Sequence, residues 1–334
     1  MQEFDALRGV FALIIAIYHY TFRFGVLFPA LGHATHVFFQ ISNVDYMNYV
    51  PSFFFVLSGY FILDSAQKAG DAKNYALSKF FRLFPTYWIS LLITTAMIFF
   101  LGLPGKEVSL IKFIANLTMM PTPLRQGFVD NAHWAIEIIA IFYLLIFLVL
   151  LFRLNKHMKG IIVIWLCASI LIHIINFQGG MLLALSKIAS WGFMLRYAPF
   201  FALGILMHEI NQSKKFLPLD GIILCMVLLS AYADGGILKA FFVVIYALIF
   251  TLGFMGLFRW IAISPLLFFG KISYAFYLIH QNVGYTIIRQ FYLNNIDPNL
   301  GIIVAFAFSI IASTLVTYYV AKPITEFAKK SMFK

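Results

Sequence analysis

The chain has 334 residues, of which 62% are hydrophobic, 18% aromatic and only 11% charged, against roughly a quarter charged in an ordinary soluble domain. That balance excludes a soluble globule. The formal net charge of +11, from 24 Lys and Arg against 13 Asp and Glu, does not point to nucleic acid. The cations fall mostly in short connections between long apolar runs, where they orient a membrane protein.

A hydrocarbon core needs roughly 20 apolar residues per helix, and ten runs qualify, near 6–27, 47–66, 80–101, 133–152, 160–177, 190–208, 219–233, 237–258, 266–289 and 300–321. The first carries Glu3 and Asp5 before it and no positive n-region, so it reads as a retained span rather than a cleaved leader. Between the third and fourth lies the longest polar stretch, about thirty residues, too short for an appended soluble domain. Its amphipathic part, Val108 to Met119, is expected along the interface. Asp234, Gly235 and Gly236 make a tight turn between the seventh and eighth runs. Cys167 and Cys225 sit inside apolar runs without metal or disulfide spacing and read as core thiols. With the amino terminus inside, sixteen of the 24 cations fall on the inner side, the bias that the positive-inside rule requires. The expectation is an all-α integral membrane protein: a single domain over 1–334, about ten transmembrane helices around a central polar cavity, and both termini cytoplasmic.

Ionisable groups at membrane depth are costly, so each is a functional candidate. Arg8 and His19, eleven residues apart, share one face of a helix with Arg8 at the cytoplasmic mouth and His19 about 16 Å deeper. Arg8 also reads as an anchor paired with Asp5. Ser273, Tyr277 and His280 follow at i, i+4 and i+7 on another helix, with His280 at a depth matching His19. They suit either a shared proton-transfer site or a face that only joins helices. Ser58 and Gly59 allow close approach of a ligand or of another helix. Lys79 and Arg82 suit phosphate groups or lipid headgroups. At the outer end, Trp134 and Glu137 suit a hydroxylated ligand, and Glu137 equally suits Arg125 or Arg196 as a partner. No metal site is expected.

These stretches together resemble the acyltransferase family 3 membrane proteins, which include O-antigen and exopolysaccharide O-acetyltransferases. The matching segments are FDALRGVFALIIAIYHY from Phe4, SFFFVLSGYFI from Ser52, KFFRLFPTYW from Lys79, HWAIEIIAIFY from His133, FFGKISYAFYLIH from Phe268 and AKPITEF from Ala321. The resemblance implies transfer of an acyl group, usually acetyl, from coenzyme A in the cytoplasm to a hydroxyl of a surface glycan or lipid-linked glycan, in the bacterial inner membrane. Acetyl-CoA is then a donor substrate, with no permanently bound cofactor, and the partners are acyl-CoA, the glycan acceptor and membrane lipids. It also implies that Arg8 and His19 are essential and that Ser58, Gly59, Arg82, Tyr277 and His280 belong to the central site. One position departs: where many members have a glutamate five residues after the tryptophan, this chain has Ile139. Glu137 stands two residues earlier and about 160° around the helix.

On that reading Arg8, Lys79 and Arg82 hold coenzyme A phosphates, and His19 is a general base or a transient acyl carrier, with His280 orienting it. The alternative is a proton-coupled transporter or flippase of a polar lipid or glycan, which uses the same histidines as a relay.

Overall fold

The structure of the protein, a computed structural model, describes residues 2–29, 44–174 and 180–332. Among them 84% are helical and none is in a strand. A lipid-facing chain requires this, because only the helix satisfies every backbone group within one apolar segment.

Helix α1 (Gln2–Tyr18) places Glu3 and Asp5 in its first turn, where the helix dipole favours acids. It continues through a π-helical turn, His19–Arg23, into Phe24–Leu27. After α2 (Ser52–Ala69), Gly70 at φ 78° ends the helix. The Asp71 side chain then accepts from Asn74 N at 2.7 Å and so caps α3 (Ala72–Leu101). This cap starts α3 eight residues before the apolar run at 80, so its first turns are charged.

The expected interfacial stretch contains α4 (Leu110–Leu117), capped by Ser109 and tied to α3 by Trp88 Nε1, which donates to the Leu117 carbonyl at 2.9 Å. Helices α5 (Trp134–Leu151) and α6 (Met158–Ile174) follow; the expected end of the fifth run at 177 lies outside the described residues.

The sixth run is corrected. A separate helix α7 (Gly180–Gly192) precedes α8 (Ala198–Ser213). Between them the chain leaves helical geometry because α6 supplies the missing donors: Trp165 Nε1 to Phe193 O at 2.6 Å and Ser169 Oγ to Leu195 O at 2.6 Å. The run α9 (Pro218–Phe254) breaks at Gly235 (φ −135°) and Gly236 (φ 64°). Leu224 and Thr251 line one apolar groove, yet an unbroken helix would separate them by about 40 Å, so the chain folds back as a hairpin. Helices α10 (Ser264–Leu293) and α11 (Pro298–Val316), a π turn Thr317–Ala321 and the basic α12 (Lys322–Met332) complete the order.

Among the described residues, six stretches are long and apolar enough to cross a membrane: Gln2–Leu27, Ala72–Leu101, Asn131–Leu151, Asn155–Ile174, Pro218–Phe254 and Pro298–Lys330. Helix α10 has the length but is less apolar, because its middle carries Gln281, Asn282 and Thr286, all buried. Outward-facing side chains are as apolar as the core; Phe99 is 80% exposed and Ile237 78%. The protein is therefore a multi-pass membrane protein. Cys167 and Cys225 are not core thiols but exposed: in lipid both surfaces of a helix are apolar, and hydrophobicity no longer separates inside from outside.

The chain forms two compact units. One comprises Met1–Met47, Ser78–Glu137 and Trp260–Lys334, the other Asn48–Leu77 and Ile138–Arg259. In the first, α1 and α11 pack on α10. A Cβ added at Gly270 would come 2.0 Å from the Asp5 carbonyl oxygen, and one at Gly9 2.8 Å from Phe269, so α1 and α10 cross backbone to backbone. In the second unit α2 and α8 do the same: a Cβ at Gly204 would meet the Val56 carbonyl at 2.1 Å, and one at Gly59 the Phe201 carbonyl at 2.3 Å.

Candidate active site

The crossing of α1 on α10 brings His19 against His280. His19 Nδ1 lies 2.8 Å from His280 Nε2, and the rings are stacked with centroids 5.0 Å apart. His19 opens the π turn, where the extra residue lets the His19 carbonyl accept from Phe24 N; such bulges are frequent at functional sites. His280 is fully buried, whereas His19 keeps partial exposure.

The partners of His280 determine which nitrogen carries each proton. Its Nδ1 is 2.9 Å from the Tyr277 carbonyl and 3.2 Å from that of Phe276. A carbonyl only accepts, so Nδ1 carries the hydrogen. For two neutral rings, His280 Nε2 is then an acceptor and His19 Nδ1 the donor. This leaves the lone pair on His19 Nε2, the nitrogen directed away from His280.

Two further groups hold this arrangement. Tyr20, next in sequence to His19, donates its hydroxyl to the His280 carbonyl at 2.6 Å and stands 3.0 Å from Ser309 Oγ on α11. The absence of a side chain at Gly284 admits its ring, since a Cβ there would come 2.1 Å from it. On the opposite side of α10 lies the segment Val129–His133. Asp130, fully buried, accepts from Ala132 N at 2.9 Å and from Asn282 N at 2.8 Å. His133 Nε2 meets the Leu278 carbonyl at 3.0 Å, and Asn282 Nδ2 donates to the Val129 carbonyl at 2.8 Å. Leu278 and Asn282 are one i→i−4 pair of α10, so this segment grips the helix half a turn from His280.

The remaining residues singled out in the sequence take varied positions. Tyr277 is buried with its ring 5.7 Å from that of His280. Ser273 Oγ donates to the Gly270 carbonyl of its own helix at 2.8 Å, so this contact joins no second helix. Arg8 pairs with Asp5 at 2.8 Å and is partly buried. Lys79 is buried and Arg82, one turn on, exposed. Trp134 is half-buried at the head of α5. Glu137 is buried, with one oxygen 3.2 Å from Thr122 N and the other 2.7 Å from Thr122 Oγ1. It therefore fastens the turn at Thr122–Leu124. Arg196 pairs instead with Asp234 at 3.2 Å. Ser58 and Gly59 belong to the other unit, where Gly59 makes the α2–α8 crossing.

Sequence reading missed Tyr20, Asp130 and Asn282. A weak signal was present: Asp130 is a carboxylate at the edge of an apolar run, and Gln281–Asn282 interrupt one directly after His280.

Comparison with known proteins gives no match among curated proteins or solved structures. The family profile described as an acyltransferase domain matches residues 1–321, nearly the whole chain and every residue of the histidine site. The chain belongs to acyltransferase family 3 and is a membrane acyltransferase.

Proposed function

We propose that the protein transfers an acetyl group from cytoplasmic acetyl-CoA to a hydroxyl of a surface glycan or lipid-linked glycan, with His19 as general base. The supporting observation is the 2.8 Å contact of His19 Nδ1 with His280 Nε2. In the transfer, His19 Nε2 takes the proton of the acceptor hydroxyl as its oxygen attacks the thioester carbonyl. The C–S bond breaks, and the departing thiolate takes that proton back as coenzyme A. His280 orients His19 and stabilises the positive charge it gains, its own Nδ1–H being anchored on the Tyr277 carbonyl.

Ten transmembrane helices with cytoplasmic termini, in a bacterial inner membrane, suit this direction of transfer: Arg8, Lys79 and Arg82 then stand at the side where a coenzyme A diphosphate arrives. Arginine is the better ligand for such a group because its planar fork meets two oxygens.

The test is reconstitution in proteoliposomes with radiolabelled acetyl-CoA outside and glycolipid extract in the membrane. Label covalently attached to glycan supports the reading. Label that crosses the membrane without becoming attached contradicts it and identifies a transporter.

A further inference from the structure

We infer that the groove between α8 and the two arms of α9 seats one acyl chain of an anionic phospholipid, with Lys214, Lys215 and Arg259 holding the headgroup phosphate at its end.

The groove has a volume of about 500 Å³ and is lined by α8, by both arms of α9 and by Phe216 in the link between them. That volume lies in the range of small-molecule sites, roughly 300–1,000 Å³. No lining residue is charged, and the one hydroxyl, of Thr251, is spent on the Ala247 carbonyl at 2.9 Å. An occupant therefore finds no hydrogen-bonding group and is itself hydrocarbon. Val244, Leu248 and Met255 are exposed, so the groove is open along its side. Helix α9 belongs to a membrane-spanning stretch, and that opening faces lipid rather than water.

The shape suits a linear chain. Val244, Leu248, Thr251 and Met255 follow at i, i+4, i+7 and i+11, one stripe along the second arm, and Leu224 and Leu228 form a shorter stripe on the first. The longer stripe covers about 16 Å of helix rise, close to half of the roughly 30 Å hydrocarbon core. The groove is thus as long as the acyl layer of one leaflet.

Charge selects the headgroup. With Met255 and Phe216, the groove ends at the side of the hairpin away from the Gly235–Gly236 turn. Lys214, whose φ of 55° ends α8, and Lys215 stand directly before Phe216, and Arg259 four residues after Met255; all three are exposed. A Cβ at Gly256 would come 3.0 Å from Arg259 Nε, so the absent side chain lets the guanidinium fold back beside Met255. The acids next to these cations are held by another residue: Lys159 pairs with Asp220 at 2.7 Å and with Glu209 at 3.3 Å. Asp220 also accepts from Leu217 N at 2.9 Å. Lys214 Nζ bonds the neutral Asn211 Oδ1 at 2.7 Å. Among the described residues no carboxylate oxygen lies within 4.0 Å of a side-chain nitrogen of Lys214, Lys215 or Arg259. Three unneutralised cations at the polar end of a slot one leaflet long match a lipid whose phosphate keeps its negative charge. A zwitterionic headgroup brings a cation of its own and matches them less well.

The experiment titrates the purified full chain in detergent with phosphatidylglycerol and with phosphatidylcholine of the same acyl chains, and reads the first lipid bound by native mass spectrometry. We expect phosphatidylglycerol to bind at least about tenfold more tightly. Lys214→Ala combined with Lys215→Ala is expected to weaken it about twentyfold, because each cation near an anionic headgroup contributes about fivefold. Val244→Trp combined with Leu248→Trp fills the slot from two exposed positions, so it should abolish that binding with the unfolding temperature unchanged. Equal affinity for the two lipids overturns the proposal, as does wild-type affinity in the lysine variant. Wild-type binding of phosphatidylglycerol by the tryptophan variant would place the chain elsewhere and also overturns it. A lipid-free wild-type dimer that the tryptophan variant dissociates would make a second copy the occupant instead, and equally overturns it.

Discussion

Asp130 has both carboxylate oxygens committed to backbone N–H groups, of Ala132 and Asn282. Asparagine has the same shape but only one acceptor oxygen, so Asp130→Asn turns an N–H donor toward one of those amides. The expected loss is about 1–3 kcal/mol, the cost of a buried polar group left without its bond, read as a lower unfolding temperature in detergent. An unchanged unfolding temperature would remove Asp130 from the support of α10. His19 and His280 stand out in the sequence because an ionisable group in an apolar run is rare. Asp130 and Tyr20 do not, because their roles come from what they meet in space: a backbone amide or a carbonyl on another helix.

The helix crossings carry a second test. A Cβ at Gly270 would come 2.0 Å from the Asp5 carbonyl oxygen, whereas one at Gly160, inside α6, meets nothing within 4 Å. Gly270→Ala must push α1 from α10, at a cost of about 1–3 kcal/mol for overpacking, and with it separate His19 from His280. Gly160→Ala has no such clash and gains about 0.5–1 kcal/mol of helix propensity. Thermal unfolding together with transfer rates checks the pair: the first variant loses both stability and activity, and the second loses neither. Elements were legible to differing degrees. The turn at Gly235–Gly236 was plain, since two adjacent glycines after Asp234 interrupt an apolar run. The break between α7 and α8 was not, because α6 supplies the hydrogen bonds that permit it. The π turn at His19 likewise leaves no mark in an apolar periodicity.

For the whole molecule, hydropathy and charge identify an all-helical membrane protein, and the acyltransferase motifs identify the family. They do not tell the inside of the bundle from its outside, which is why Cys167 and Cys225 face outward rather than into a core. Ten spans with both ends cytoplasmic predict that a phosphatase active only outside the cytoplasm stays inactive when fused after Lys334, and becomes active when fused at Arg125 in the loop between α4 and α5. Activity at Lys334 would require an odd number of spans.

In the proposed reaction His19 Nε2, oriented by His280, removes the proton of the acceptor hydroxyl. Transfer of radiolabelled acetyl by purified His19→Ala in proteoliposomes tests it most directly, with unfolding temperature as the control for folding. With His19 as the base, the unfolding midpoint is expected to be unchanged and kcat to fall by about 10²–10⁴, the contribution of a positioned general base. A His19→Ala protein that transfers acetyl at the wild-type rate would contradict it.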